Sequence, residues 1–182
     1  MSGNIAVIYA GDLATVADGF GEAAGQVAAG VRVLSLEGVG GGHGLPRLHD
    51  LEWADGIAFG TPIGAGTPAP ELMHFLEGTE LLWSSGRLFD KAVTVFTDRP
   101  EQFAPDSILH PIYDALYRWG GVIVGPPRFE LELKAGPGGP LAGSRSWLPA
   151  PRLRSAQYRA VRLARLAGVL AEERGRRKRL GL

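Results

Sequence analysis

Apolar and polar positions fall in blocks along the chain, and the blocks predict strands and helices in turn. Asn4-Ile5-Ala6-Val7-Ile8-Tyr9 is an apolar run that reads as a buried strand. Leu13, Val16, Ala17, Phe20, Ala24 and Val27 then recur at helical spacing. Gly19, Gly21 and Gly25 lower the intrinsic propensity of that helix, so packing has to hold it. Val31 to Leu36 is a second strand, and Gly38 to Gly44 is a glycine-rich loop around His43. Leu48 to Ala54 reads as a short helical turn that delivers a third strand, Gly56 to Gly60. A helix over 71–77 follows, then a surface turn over Trp83-Ser84-Ser85-Gly86-Arg87-Leu88. Lys91 to Thr97 is the fourth strand. Ile108, Ile112, Ala115, Leu116 and Trp119 mark one face of the next helix, which Gly120-Gly121 ends before the fifth strand, Val122 to Gly125. A segment rich in Gly and Pro runs from Pro126 to Pro151, with a candidate edge strand over 129–133. Its length points to a functional or oligomer-contact excursion. The last helix is expected over about Leu153 to Arg174.

Strands that alternate with helices make a parallel sheet covered on both faces. With right-handed crossovers, the expected α/β architecture is a three-layer, doubly wound sheet of five strands in the order 2-1-3-4-5. Ligands of such sheets lie in the crevice outside the carboxyl ends of the strands. The stretch Gly60-Thr61-Pro62-Ile63-Gly64-Ala65-Gly66-Thr67-Pro68-Ala69-Pro70 leaves the third strand at that end. Its small residues let a flat ligand approach the backbone, and its prolines stiffen it. An ordinary strand-to-helix connection, usually about 2–6 residues, is shorter.

The 182 residues suit one domain, taken as 1–174 with a basic tail over 175–182. A composition 45% hydrophobic and 21% charged is that of a globular chain. The absence of cysteine excludes disulfides, thiolate–zinc sites and thiol catalysis. No leader and no membrane-length apolar run is visible, so a cytoplasmic protein is expected. Net charge is zero but segregated, with ten Lys/Arg and two Asp/Glu between Arg152 and Leu182. Its run Arg174-Gly175-Arg176-Arg177-Lys178-Arg179 has no interleaved aromatic residues, which argues against a nucleic-acid surface.

Four segments together resemble a known family. Phe59-Gly60-Thr61-Pro62 through Phe75-Leu76 to Leu82-Trp83 is similar to the flavin loop and following helix of WrbA-type NAD(P)H:quinone oxidoreductases. Leu88-Phe89-Asp90-Lys91-Ala92 through Val95-Phe96-Thr97 resembles their fourth strand. Tyr117-Arg118-Trp119-Gly120-Gly121-Val122-Ile123-Val124-Gly125 resembles their approach to the fifth. Gly143-Ser144-Arg145, Pro149, Leu153, Ala156 and Tyr158 echo the approach to their last helix. The resemblance implies a flavodoxin-like fold, FMN at the ends of the first, third and fourth strands, and NAD(P)H as reductant. It also implies a small planar substrate such as a quinone, and a homo-oligomer, dimer or tetramer.

Mapped onto this chain, the cofactor-binding positions are Gly11, Asp12, Leu13, Ala14 and Thr15 for the phosphate loop. Pro62, Ile63, Gly64, Ala65 and Gly66 stand for the ring loop, and Thr97, Asp98, Arg99 and Gln102 for the loop after the fourth strand. Trp119 takes the place of a family His near the flavin. Each group departs from the family. Tyr9-Ala10-Gly11-Asp12-Leu13-Ala14-Thr15 is short and has no early hydroxyl. Asp12 is expected to cap the first helix, which would use the donors of a phosphate and lower FMN affinity. The ring loop lacks the family's charged and aromatic contacts. Asp98, Arg99, Pro100, Glu101 and Gln102 replace a run of small hydroxyl residues. Trp119 either stacks on a flat ring or is a core residue of its helix. Arg99 either binds an acidic substrate or a flavin carbonyl, or forms a surface ion pair.

His43, His49, His74 and His110 show no metal-ligand spacing, and no nucleophile elbow or Walker loop occurs. Two readings therefore stand beside the FMN reductase. One is an FMN-free binding or oligomerising module. The other is a cofactor-independent enzyme that takes a planar substrate in the same crevice.

Overall fold

The computed structural model describes residues 2–38, 42–63, 66–98, 106–125 and 150–181. Five strands are present among them: β1 (Asn4–Tyr9), β2 (Gly30–Ser35), β3 (Gly56–Thr61), β4 (Ala92–Thr97) and β5 (Val122–Ile123). They pair in parallel in the order β2-β1-β3-β4-β5, as the alternation of strands and helices predicts. The helices are α1 (Ala14–Gly25), α2 (Leu48–Trp53), α3 (Pro70–Glu77), α4 (Glu80–Ser84), α5 (Asp106–Arg118) and α6 (Ala150–Leu180).

Successive strand side chains point to opposite faces, and both faces are buried. Ile5, Val7 and Tyr9 of β1 pack on the α1 and α6 side, with Phe20, Leu163 and Ala167. Ala6 and Ile8 pack on the other side, with Leu72 and Leu76 of α3 and Ile112 and Leu116 of α5. Burial on both faces is why these strands read as continuous apolar runs. Phe20 of α1 stacks on Phe96 of β4, with ring centroids 5.2 Å apart. The glycines of α1 have a packing use. A Cβ on Gly21 would stand 2.7 Å from Cγ2 of Val33, so the missing side chain sets how closely α1 lies on β2.

Several expected boundaries shift. The surface turn expected from Trp83 is in part the helix α4, whose Leu82 is buried. The fifth strand keeps only Val122–Ile123, although the Val124 N–H still donates to the Val93 carbonyl at 2.7 Å. The last helix continues through Leu180, and two arginines tie it to the sheet's amino end. Arg174 pairs with Asp55, and Arg177 with Asp90 at 3.0 Å. The edge strand and excursion expected over 126–149 lie outside the described residues.

Two buried cations sit beside this core. Lys91, at the start of β4, donates to the carbonyls of Glu52 and Ala54. Burial lowers its ammonium to about 8, and the neighbouring Arg174 guanidinium acts in the same direction. Arg159 of α6 donates to the Val95 carbonyl, and burial lowers it to about 10.

Candidate functional site

The strand order reverses between β1 and β3, so their carboxyl ends open the crevice where such folds take ligands. The chain leaves β1 through Ala10, whose N–H donates to the Gly60 carbonyl at 3.0 Å. Gly11 then turns with φ +67°. That left-handed turn needs glycine. A Cβ there would also stand 2.9 Å from Cγ of Pro62, so the turns after β1 and β3 touch across the switch point.

Helix α1 starts with Leu13 as its N-cap. No side chain caps it, and its first turn holds no acid. The expected Asp12 cap is therefore not made, and Asp12 is exposed to solvent. Leu13 turns its buried side chain into the core, leaving Asp12 on the outside of the bend. Thr15, exposed in the first turn, brings the hydroxyl nearest to the helix start. An uncapped helix N-terminus carries free N–H donors and partial positive charge, which together suit an anion. This donor set fits a phosphate, with one donor already engaged: the Gly11 N–H donates to Oε1 of Glu37 at 2.8 Å.

The loop after β3 is pinned by hydrogen bonds. The Ala69 N–H donates to Oγ1 of the buried Thr61 at 2.8 Å, closing the loop at its base. The Ile63 N–H donates to Oδ1 of Asp98 at 2.9 Å, tying the loop to the end of β4. Ile63 is buried and its amide engaged, so Asp98 positions this backbone. Gly66 is exposed with φ +78°, and Thr97 and Asp98 are half-buried. Gly64, Ala65, Arg99 and Gln102 lie outside the described residues.

Trp119 is not in the crevice. It is 2% exposed, meets Phe59 edge to face at 5.7 Å, and donates through Nε1 to Oγ1 of Thr79 at 3.1 Å. The end of α5 turns it towards α3, on the sheet's flank, so it is a core residue and offers no face to a ring.

Two groups at this end escape sequence reasoning. Glu37 is one; its only signal is its position just past the strand beside β1. The other is a chain of polar contacts through His43. Its Nδ1 lies 2.8 Å from the Tyr9 hydroxyl, and its Nε2 lies 2.9 Å from Oδ1 of Asp18. These contacts hold His43 between β1 and α1. Among the described residues 10–15, 36–38, 61–63, 66–69 and 97–98, three are acids and none is Lys or Arg.

The scaffold is similar to that of solved structures across nearly its whole length. A WrbA-like flavodoxin from Agrobacterium tumefaciens covers 91% of this chain, and 98% of that protein is matched, with a TM-score of 0.62 at 20% identity. An archaeal flavodoxin gives a TM-score of 0.54 at 14% identity, over 91% of this chain and 99% of the other. The fold is flavodoxin-like.

No protein-family model matches the chain. Several sequence relatives nonetheless carry one name. A protein of Acidithiobacillus ferrooxidans named NAD(P)H dehydrogenase (quinone) is 35% identical over 91 residues, 48% of this chain and 46% of the relative. One of the same name from Syntrophobacter fumaroxidans is 39% identical over 81 residues, 44% of this chain and 40% of the relative. The chain thus spans about half the length of the curated relatives it matches. Among the described residues, no helix is long and apolar enough to cross a membrane.

Proposed function

We propose that this flavodoxin-like protein is an oxidoreductase that reduces a quinone with NAD(P)H, using FMN held in the β1/β3/β4 crevice. The carrying observation is the uncapped, acid-free start of α1 beside the switch point, in a chain that over 91 of its residues is 35% identical to a named quinone dehydrogenase. The overall change is NAD(P)H + H⁺ + quinone to NAD(P)⁺ + quinol, two electrons in all. FMN, when bound, supplies the two-electron carrier between donor and acceptor.

The chain's own residues bind and orient. The first-turn amides of α1 and the Thr15 hydroxyl would hold the phosphate. Pro62 and Gly66 would lie along the flat ring, and Asp98 holds the backbone beneath it through Ile63. Small residues on this side leave room for a planar substrate such as a quinone. Self-association belongs to the proposal, supported by the large apolar side chains of Leu81, Phe89 and Tyr117 left exposed. So does a cytoplasmic setting, where NAD(P)H is present.

One observation favours the second reading, a crevice that takes a planar substrate without FMN. Glu37 already accepts from Gly11, where a phosphate would otherwise find a donor. The visible spectrum of the purified protein, an FMN titration and NAD(P)H oxidation with a benzoquinone separate the two. Flavin bands and FMN-dependent quinone reduction are expected. Absence of FMN binding at high micromolar concentration would overturn the reductase and leave the second reading.

A further inference from the structure

We propose that Glu37 is the specificity-determining residue of the crevice: its carboxylate holds the Gly11 amide in the place of an anionic ligand, so a phosphate binds fully only by expelling it. The proposal deepens the flavin reading and rests on it in one arm of the test only.

The contact is built rather than incidental. The Gly11 N–H is fixed in direction by a left-handed turn packed on Pro62, and it donates to Glu37 Oε1 at 2.8 Å. The segment that presents Glu37 is anchored on both sides. The Leu36 N–H donates to the Tyr9 carbonyl at 2.9 Å, and the Ser35 N–H to the Gly44 carbonyl at 3.0 Å. On the other side of Glu37, the Gly38 N–H donates to the Ser35 carbonyl at 3.3 Å.

Chemistry then decides the selectivity. A carboxylate and a phosphate compete for the same donor, and each repels the other. Asp12 adds a second negative charge on the rim, and the described loop residues supply no cation against it. The first-turn amides of α1 remain for an anion, so Glu37 weakens phosphate binding without abolishing it. A planar ligand without a phosphate does not meet this competition. The crevice therefore favours the phosphate ester of a flavin over the flavin alone by less than a site built on hydroxyls and free amides would.

The test compares FMN with riboflavin, which lacks only the phosphate, by quenching of flavin fluorescence on the wild-type protein and on Glu37→Gln. The variant keeps the shape and an acceptor but loses the charge. FMN should bind about tenfold tighter to Glu37→Gln, the effect of one close repulsion in water. Riboflavin should change by no more than about twofold, within the reach of a surface substitution. An unchanged FMN affinity, or an equal gain for both flavins, overturns the proposal.

A second measurement holds if neither flavin binds. Inorganic phosphate is titrated into ¹⁵N-labelled protein while the Gly11 amide resonance is followed. The resonance should respond at lower phosphate concentration in Glu37→Gln than in the wild type. The same response in both, or none in either, overturns the proposal. Phosphate selectivity without flavin binding would sink the flavin reading alone. Flavin binding with an unchanged FMN-to-riboflavin ratio would sink this inference alone.

Discussion

Asp98 at the end of β4 accepts the Ile63 N–H at 2.9 Å, joining the exits of two neighbouring strands on the crevice side. A hydrogen bond to a charged group contributes more than a neutral one, about 1.5–3 kcal/mol. Asp98→Ala should therefore lower stability by roughly 1.5–3 kcal/mol in urea unfolding and weaken planar-ligand binding through a looser loop. Asp98→Asn should recover part of both. Full ligand affinity in Asp98→Ala would show that the loop holds its shape without this bond.

Gly60 sits where β3 passes under the Phe96 ring. A Cβ there would stand 2.5 Å from Cζ of Phe96 and 2.9 Å from Cβ of Tyr9. Overpacking of a buried position costs about 1–3 kcal/mol, and Gly60→Ala should lower the unfolding free energy by that amount. Because Phe96 stacks on Phe20, the near-ultraviolet circular dichroism should change as well. A variant as stable as the wild type would mean that the two rings move apart freely.

Trp119 distinguishes a core residue from a ligand contact. Trp119→Phe removes the bond to Thr79 and part of the contact with Phe59. The unfolding free energy should fall by about 1–3 kcal/mol, as expected for a buried aromatic truncated next to a polar partner. Flavin affinity should stay where it was. A large loss of flavin affinity with stability intact would return Trp119 to the crevice.

Lys91 makes stability depend on pH on the alkaline side. Its folded value is about 8 against 10.5 for the free side chain. Between those values the unfolded chain binds more protons than the folded one, so stability rises with pH across that window. Below it both states are charged and the full cost of burying the ammonium applies. The slope from this one group approaches about 1.4 kcal/mol per pH unit in the middle of the window. Unfolding of wild type and Lys91→Met, measured from pH 7 to 11, should differ by this rise. Parallel curves would show that Lys91 keeps an ordinary proton affinity in the fold.

Periodicity predicts the sheet, and right-handed crossovers between its strands predict their order. The apolar runs at β1, β3 and β4 are buried on both faces, and intervals at helical spacing leave few ways to connect them. The strand-to-helix loop after Gly60 is legible for the same reason, since Gly and Pro mark it directly. Boundaries are less so. Helix α4 hides in a short stretch where only Leu82 and Thr79 are buried, and α6 outlasts its apolar stripe because Arg174 and Arg177 find Asp55 and Asp90. Those partners lie far away in sequence.

Local patterning is enough for the class of fold, the end of the sheet that carries the loops, and the small-residue character of those loops. Which polar groups there are engaged depends on how the segments pack together. Asp12 reads locally as a cap, yet the bend at Leu13 leaves it in solvent. Glu37 and Asp98 read as loop acids, yet strand pairing brings each to a backbone amide of the next strand's exit. Trp119 matches a family position beside a flavin, yet α5 packs it against Thr79 and Phe59. Patterning records how each residue partitions between core and water. Hydrogen-bond partners across a parallel sheet are set by register and packing between segments that no local pattern connects.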